Sequence, residues 1–224
     1  MIEKDIVFDS VEKKLALWCG AYAEDGDLAR AVEYMVENDL SMVSVLPDSV
    51  KVMWPWVERL PVKILARFYL PDKKISEKQV SELTENINTA FKHGAHGAQV
   101  FLPCAALGGL VEQTHVIRDD LFFNKDLSIG IDIGEIGPYD WAALFENLRK
   151  INVSSVVLVM AKDMGEKSDF VGRLYGMLNA WDDKNNFDVH FVFGPDFMSI
   201  EQVVRLVKLM KPELNNRVKF WVGC

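Results

Sequence analysis

The sequence predicts an α/β protein, a single closed (β/α)8 barrel of the TIM-barrel class, and three observations support this prediction. Eight short runs rich in aliphatic residues recur along the 224 residues, roughly 20–35 residues apart. Most of these runs are continuously apolar, which is typical of parallel strands that are buried on both faces. Segments of helical period separate the runs, and the chain length is close to the about 250 residues of such barrels.

The eight predicted strands are residues 15–20, 41–47, 62–69, 97–103, 127–135, 155–162, 188–195 and 217–224. The eighth run reaches the last residue, so the last helix is expected to be truncated or missing. An open doubly wound sheet is the competing architecture. It usually begins with a glycine-rich phosphate loop after the first strand, and the residues at 19–22, CGAY, are not such a loop. We therefore expect one domain over residues 1–224.

Helical segments are predicted between these strands at 27–39, 76–92, 139–150 and 199–210, because their apolar residues recur on one face. Two of the segments begin with the pattern of a capping box, in which a serine precedes a glutamine by three residues. These pairs are Ser76 with Gln79 and Ser199 with Gln202.

Composition excludes several classes of partner. The chain has 33 acidic and 25 basic side chains and a formal charge of −8, which disfavours nucleic acid because phosphate binding needs a basic face. The longest apolar run, 153–161, is far shorter than a membrane span, and the first ten residues carry acids that a secretory signal would not. Cys19, Cys104 and Cys224 are few and widely spaced, which suits a reducing cytoplasm.

Three short motifs resemble the deoxyribose-phosphate aldolase family. SVLP at 44–47 is similar to the end of that family's second strand, HGAHGAQVFLP at 93–103 to its fourth, and IDIGE at 131–135 to its fifth. The resemblance implies an aldolase-like barrel. It also implies reversible aldol cleavage through a lysine Schiff base, in which a neutral amine attacks a carbonyl.

The residues that the resemblance would make catalytic are replaced in this chain. The family's proton-shuttling aspartate on strand four corresponds to Gln99, which cannot exchange a proton at neutral pH. The nucleophilic lysine of strand six corresponds to Met160 or Ala161, and the second lysine, on strand seven, to Val192 or Gly194. The resemblance therefore predicts the fold, whereas the aspartate and the two lysines of the family's ordinary mechanism are not found at the corresponding positions.

Lys162 is the lysine nearest the end of predicted strand six, and it shares side-chain parity with Met160. One interpretation makes it a displaced Schiff-base lysine. The alternative makes it an exposed loop lysine that precedes Asp163.

Asp132 and Glu135 flank the end of predicted strand five, on the face where barrels carry function. Acids within an apolar strand are costly unless they are paired or solvated. They predict proton transfer or binding of a substrate hydroxyl. The alternative is that one of them forms a structural salt bridge with Arg67 or Lys162.

Three further side chains are candidates for binding substrate: Arg67, Gln99 and His190. An inward Arg67 could hold a phosphate or carboxylate, and an outward one would form a salt bridge with a helix. His190 could serve as an acid or base, although its place early in strand seven favours a hydrogen-bonded core histidine. No histidine pair has the spacing of metal ligands, so we expect neither a metal nor a cofactor.

Two functions from different classes follow from these residues. The first is a carbon–carbon lyase that acts on a small, perhaps phosphorylated, carbonyl or sugar compound. The second is a non-catalytic barrel that binds a ligand or a protein partner. We also expect a homo-oligomer, because a missing last helix would leave apolar barrel wall uncovered.

Overall fold

The computed structural model describes residues 14–20, 23–113, 125–159, 167–193 and 197–223. Its strands are β1 (Leu15–Trp18), β2 (Met42–Val45), β3 (Lys63–Tyr69), β4 (Gly97–Phe101), β5 (Asp126–Asp132), β6 (Ser155–Val159), β7 (Asp188–Phe193) and β8 (Val218–Gly223). They pair in sequence order, all in parallel, and β8 pairs with β1 to close the barrel. The prediction of a closed eight-stranded barrel is confirmed.

The α-helices of the described residues are α1 (Asp25–Glu37), α2 (Pro47–Val57), α3 (Glu77–Lys92), α4 (Leu107–Glu112), α5 (Trp141–Ile151), α6 (Lys167–Ala180) and α7 (Phe197–Met210). Short 3-10 helices lie at Cys104–Ala106, Ile133–Glu135 and Pro212–Arg217. Only Cys224 follows β8 in this sequence. No helix of the described ranges is long and apolar enough to cross a membrane.

One of the two predicted capping boxes is present. The Ser76 side chain accepts a hydrogen bond from the backbone N–H of Gln79, and the Gln79 side chain accepts one from the Ser76 N–H. The helix α3 begins at Glu77, directly after Ser76. The prediction for Ser199 is wrong, because α7 begins at Phe197 and Ser199 therefore lies inside the helix. The sequence pattern is the same in both places, so the pattern alone does not fix a helix start.

The wall beside β8 differs from the expectation of an uncovered surface. Val218 and Phe220, which face outward from β8, are fully buried, and Phe220 stacks on Phe191 with ring centroids 6.0 Å apart. At these residues there is no exposed apolar wall that a second chain would have to cover.

Strand parity divides the buried residues into two cores. A large core lies between the sheet and the helices, and a small inner core fills the middle of the lumen with Ala16, Met42, Leu65, Phe101, Val157 and Trp221. A cavity opens at each end of the lumen, on opposite sides of this inner core. We call them the carboxyl-end cavity and the amino-end cavity, after the strand ends that line them.

Candidate functional site

The carboxyl-end cavity has a volume of about 300 Å³ and lies on the face where barrel enzymes place their active sites. Its residues come from the ends of β1, β3, β4, β5 and β6 and the segments that follow them. They are Trp18, Tyr69, Leu70, Pro71, Phe101, Leu102, Pro103, Gly130, Asp132, Glu135 and Val159.

Aromatic rings form much of this lining. The Phe101 ring lies 5.3 Å from that of Trp18 in an edge-to-face arrangement, and 5.4 Å from that of Tyr69. Gly130 on the neighbouring strand permits this position, because a Cβ atom there would overlap the Phe101 ring. The rings exclude water from one side of the cavity, which favours the less polar part of a ligand.

Two carboxylates lie on the other side. Asp132 ends β5, and its Oδ1 accepts a hydrogen bond from the Gly134 N–H at 2.7 Å. The Oε2 atom of Glu135 accepts from the Cys104 N–H, also at 2.7 Å. Backbone donors thus fix both carboxylates, and Arg67 takes part in neither interaction. The predicted alternative of a salt bridge to Arg67 does not describe them.

Cys104 also lies near this cavity, and its electrostatics make it a poor nucleophile. Burial raises the pKa of its thiol, and the charges of Glu135 and Asp140 raise it further. Because the thiolate is the reactive form, the thiol stays protonated and weakly reactive at neutral pH.

Lys162 lies outside the described residues. The structure does describe the strand that leads to it, since β6 ends at Val159, three residues earlier. Val159 lines the carboxyl-end cavity and is the register partner of Asp132 on β5. The chain therefore leaves β6 at the wall that carries the two carboxylates.

Arg67 points into the lumen, so the inward alternative for this residue is correct. Its guanidinium lies 3.9 Å from the centroid of the Trp18 ring and donates a hydrogen bond to the Cys19 carbonyl. The residue is buried, and it supports the cavity from behind Trp18 without lining it.

Gln99 and His190 are also buried in the lumen and outside this cavity. Gln99 accepts a hydrogen bond from the Ser44 hydroxyl at 2.6 Å. The Nδ1 atom of His190 accepts from the Trp221 indole N–H at 3.3 Å, as the interpretation of a core histidine predicts. Burial lowers the pKa of His190 to about 3, helped by the charge of Lys219, so the ring is neutral at physiological pH. The substrate-binding roles of Arg67, Gln99 and His190 stay predictions.

His190 instead faces the amino-end cavity, which the sequence did not predict. This cavity has a volume of about 240 Å³, and its charged lining comes from the first residues of strands: Lys63, Asp126 and Asp188, with Lys219 one residue into β8. The alternation of side chains along a strand could have indicated this cavity. Lys63 is four residues before Arg67, and Lys219 is two residues before Trp221, so the members of each pair lie on the same side of their strand. In the described residues, no group of three or more His, Cys, Asp or Glu side chains could hold a metal ion.

This chain is similar to known proteins in its fold and not in its sequence. No family model matches the chain, and no curated protein matches it. Solved structures do. A candidate deoxyribose-phosphate aldolase of Toxoplasma gondii superposes with a TM-score of 0.76 at 13% identity, covering 99% of this chain and 91% of that one. The deoxyribose phosphate aldolase of Aeropyrum pernix superposes with a TM-score of 0.66 at 10% identity, over 99% and 93% of the two chains.

The barrel has the fold of the deoxyribose-phosphate aldolases. The resemblance of the three sequence motifs is thus confirmed at the level of fold, and the motifs fall on or next to β2, β4 and β5. A candidate copper homeostasis protein of Streptococcus agalactiae has the same barrel, with a TM-score of 0.67 at 9% identity over 93% of this chain and 98% of that one. Since this barrel is shared by proteins with different names, activity must be argued from the site.

Proposed function

We propose that the protein is an aldolase-like carbon–carbon lyase that acts on a small carbonyl compound in the carboxyl-end cavity. One observation carries the proposal. In a barrel of aldolase fold, the functional end holds Asp132 and Glu135 beside the end of β6, and Lys162 follows that strand by three residues. In this proposal Lys162 supplies the amine and the two carboxylates move protons.

The chemistry begins with attack of the neutral Lys162 amine on the substrate carbonyl carbon. The adduct loses water to give a protonated imine, which accepts the electron pair of the breaking carbon–carbon bond. A carboxylate of Asp132 or Glu135 takes the proton of the substrate hydroxyl, so that one fragment leaves as an aldehyde. The remaining enamine regains a proton at carbon, and water then releases the second carbonyl product and the free lysine.

Two opposed influences on the pKa of Lys162 determine what fraction of its amine is neutral. An apolar wall of Trp18, Tyr69 and Phe101 favours the neutral form by desolvation, whereas Asp132 and Glu135 favour the ammonium. Opposed effects of this kind predict slow attack and modest turnover.

The lining also indicates the class of substrate. Among its described residues the cavity has two carboxylates and no cation. A phosphate group needs cationic or N–H donors, so this lining disfavours a phosphorylated compound. We propose an uncharged carbonyl compound whose apolar part contacts the aromatic rings.

Borohydride trapping tests this proposal. The protein is incubated with a panel of uncharged aldehydes and ketones, reduced with borohydride and weighed intact. We expect an added mass on the wild type that is lost in Lys162→Met. The matched control is Lys150→Met, which removes a lysine that is paired with Glu146 at 2.8 Å on the surface of α5 and should leave the adduct unchanged.

Two outcomes would overturn the proposal. An adduct that persists in Lys162→Met would show that another lysine forms the imine. Absence of any adduct on the wild type would exclude Schiff-base chemistry and favour the non-catalytic barrel.

We further propose that residues 1–224 act as one aldolase-like domain, in a homo-oligomer and in the cytoplasm. The tetrameric structure of the Aeropyrum pernix neighbour supports the oligomer, as does Leu209 on α7, a residue that is 81% exposed. Light scattering across micromolar concentrations should report more than one chain per particle. A particle of about 25 kDa would contradict this.

A further inference from the structure

The amino-end cavity has a lining unlike that of a packed barrel bottom. Besides its charged residues it holds Ser128, Ser155 and His190, which are almost fully buried and carry polar atoms into the lumen. Buried polar groups are costly unless they are hydrogen-bonded. Their concentration at one end of the lumen therefore needs a physical reason.

The charged lining of this cavity consists of two lysines and two aspartates, and these charges are not paired evenly. Lys63 pairs with Asp126 at 2.7 Å, and Arg217 pairs with Asp188 at 3.3 Å. The ammonium of Lys219 contacts the Met42 sulfur at 2.9 Å, and no carboxylate in the described residues lies within ion-pair distance of it. Because Arg217 pairs with Asp188 from outside the lining, Lys219 is left without a carboxylate of its own among the described residues.

His190 adds a directed donor. Because its Nδ1 accepts the indole N–H of Trp221, the neutral ring carries its own proton on Nε2. That Nε2–H is fully buried and has no hydrogen-bond partner in the described structure. A buried donor without an acceptor is destabilising, so an acceptor in the cavity would be favourable.

The two serines add a donor of the same kind. The hydroxyls of Ser128 and Ser155 lie 2.7 Å apart, and one donates to the other. The hydroxyl that accepts keeps its own hydrogen for a third group. Lys219, His190 and this serine pair thus offer donors to one small space, and no carboxylate of that space is left without a cation.

From these contacts we propose that the amino-end cavity binds a small oxyanion, a phosphate or a carboxylate, between Lys219, His190 Nε2 and the Ser128–Ser155 pair. The site is distinct from the carboxyl-end cavity and lies on the other side of the inner core. It does not depend on the proposed lyase activity.

The electrostatics of Lys219 agree with this geometry. Burial lowers the pKa of its ammonium and Lys63 lowers it further, while Asp188 and Asp126 raise it. A bound anion would stabilise the charged form and raise that pKa, so anion binding should take up protons and weaken at alkaline pH.

Calorimetry with inorganic phosphate and, separately, acetate tests the proposal, at constant ionic strength set with chloride. We expect at least one of the two anions to bind, and Lys219→Met to weaken that binding by about tenfold or more, as loss of a charged hydrogen bond predicts. The matched control Lys150→Met and the variant Lys162→Met should both bind as the wild type does. Comparison of the two anions tells whether the site prefers phosphate or a carboxylate.

A second measurement keeps the test independent of the folding of any variant. In the wild-type protein, the anion that binds should shift the imidazole Nε2 resonance of His190 in proportion to occupancy. Absence of binding by both anions would overturn the proposal. Equal binding by wild type and Lys219→Met, or binding that leaves His190 unshifted, would overturn it as well.

Discussion

The carboxyl-end cavity combines three aromatic rings with two carboxylates, whereas the amino-end cavity combines lysines and aspartates with serines and a neutral histidine. Both are built from side chains of the same inward parity, and the inner core separates them. One barrel thus carries two chemically different cavities without shared lining residues. Two carboxylates without a described cation suit proton transfer at the carboxyl end, and a lysine without a carboxylate of its own among the described residues suits an anion at the amino end.

The largest predicted effect is the absence of ordinary deoxyribose-phosphate aldolase activity. By the resemblance to those aldolases two roles are missing, since Gln99 cannot exchange a proton and Val192 or Gly194 corresponds to the second lysine. Each lost role costs about 10²–10⁴ in rate, so cleavage of deoxyribose 5-phosphate should be about 10⁴-fold or more below an ordinary family member. A coupled assay for the released aldehyde measures this. A rate within about tenfold of such an enzyme would contradict the account.

The next effect concerns the two carboxylates. Asp132→Asn and Glu135→Gln keep an oxygen for the Gly134 and Cys104 N–H groups but remove the charge. If the carboxylates transfer protons, turnover of a trapped carbonyl substrate should fall by about 10²-fold, with the borohydride adduct retained. Steady-state rates and intact mass on the same samples separate the two steps. Unchanged turnover in both variants would show that the carboxylates serve the fold alone.

A matched pair of glycines compares how firmly the two ends are packed. A Cβ on Gly97 would lie 2.6 Å from the backbone oxygen of Asp126, whereas the three atoms nearest to one on Gly130 all belong to the Phe101 side chain, which can adjust more easily than backbone. Gly97→Ala should therefore lower the free energy of unfolding by about 3 kcal/mol and Gly130→Ala by about 1 kcal/mol. Urea denaturation measures both changes, provided that the dependence of the unfolding free energy on urea concentration is the same in the two variants. A larger loss for Gly130→Ala than for Gly97→Ala would contradict the described packing.

His190 gives the amino end a dependence on pH. Its folded-state pKa of about 3 lies below the ordinary histidine pKa of 6.5, so between these values only the unfolded chain takes up the proton. Stability should fall as pH decreases from 6.5, by about 1.4 kcal/mol per pH unit from this group, and the loss ends near pH 3. His190→Gln keeps an acceptor for the Trp221 indole without a titrating ring and should show a shallower slope. Parallel slopes in urea midpoints would mean that the histidine is not buried as described.

Much of the barrel could be predicted because its information is local. All eight strands lie within one residue of the predicted starts, since a continuous apolar run marks a strand buried on both faces. The end of β3 was predicted correctly and the other ends were placed too late, as at β4, which ends at Phe101 while the apolar run continues through Leu102 to Pro103. Apolar residues beyond a strand are buried by the loops, and hydropathy does not distinguish them from strand residues.

The candidate sites were predicted only in part, because contacts across the barrel are not local. The sequence indicated Asp132 and Glu135 at the functional end, yet not the Gly134 and Cys104 N–H groups that fix them. The amino-end cavity was missed because Lys63 and Lys219 resemble ordinary polar residues at strand starts. Only the closure of β8 on β1 brings the strands that carry them around one lumen.

Identification of the lysine that borohydride traps tests the central claim most directly. The two cavities offer competing amines, Lys162 beyond β6 and the half-buried Lys219, whose pKa burial also lowers. After reduction with a reactive uncharged carbonyl compound, peptide mapping by mass spectrometry locates the added mass. The account predicts modification at Lys162, at the end of the barrel that carries Asp132 and Glu135. Modification at Lys219 instead would place the carbonyl chemistry at the amino end and contradict it.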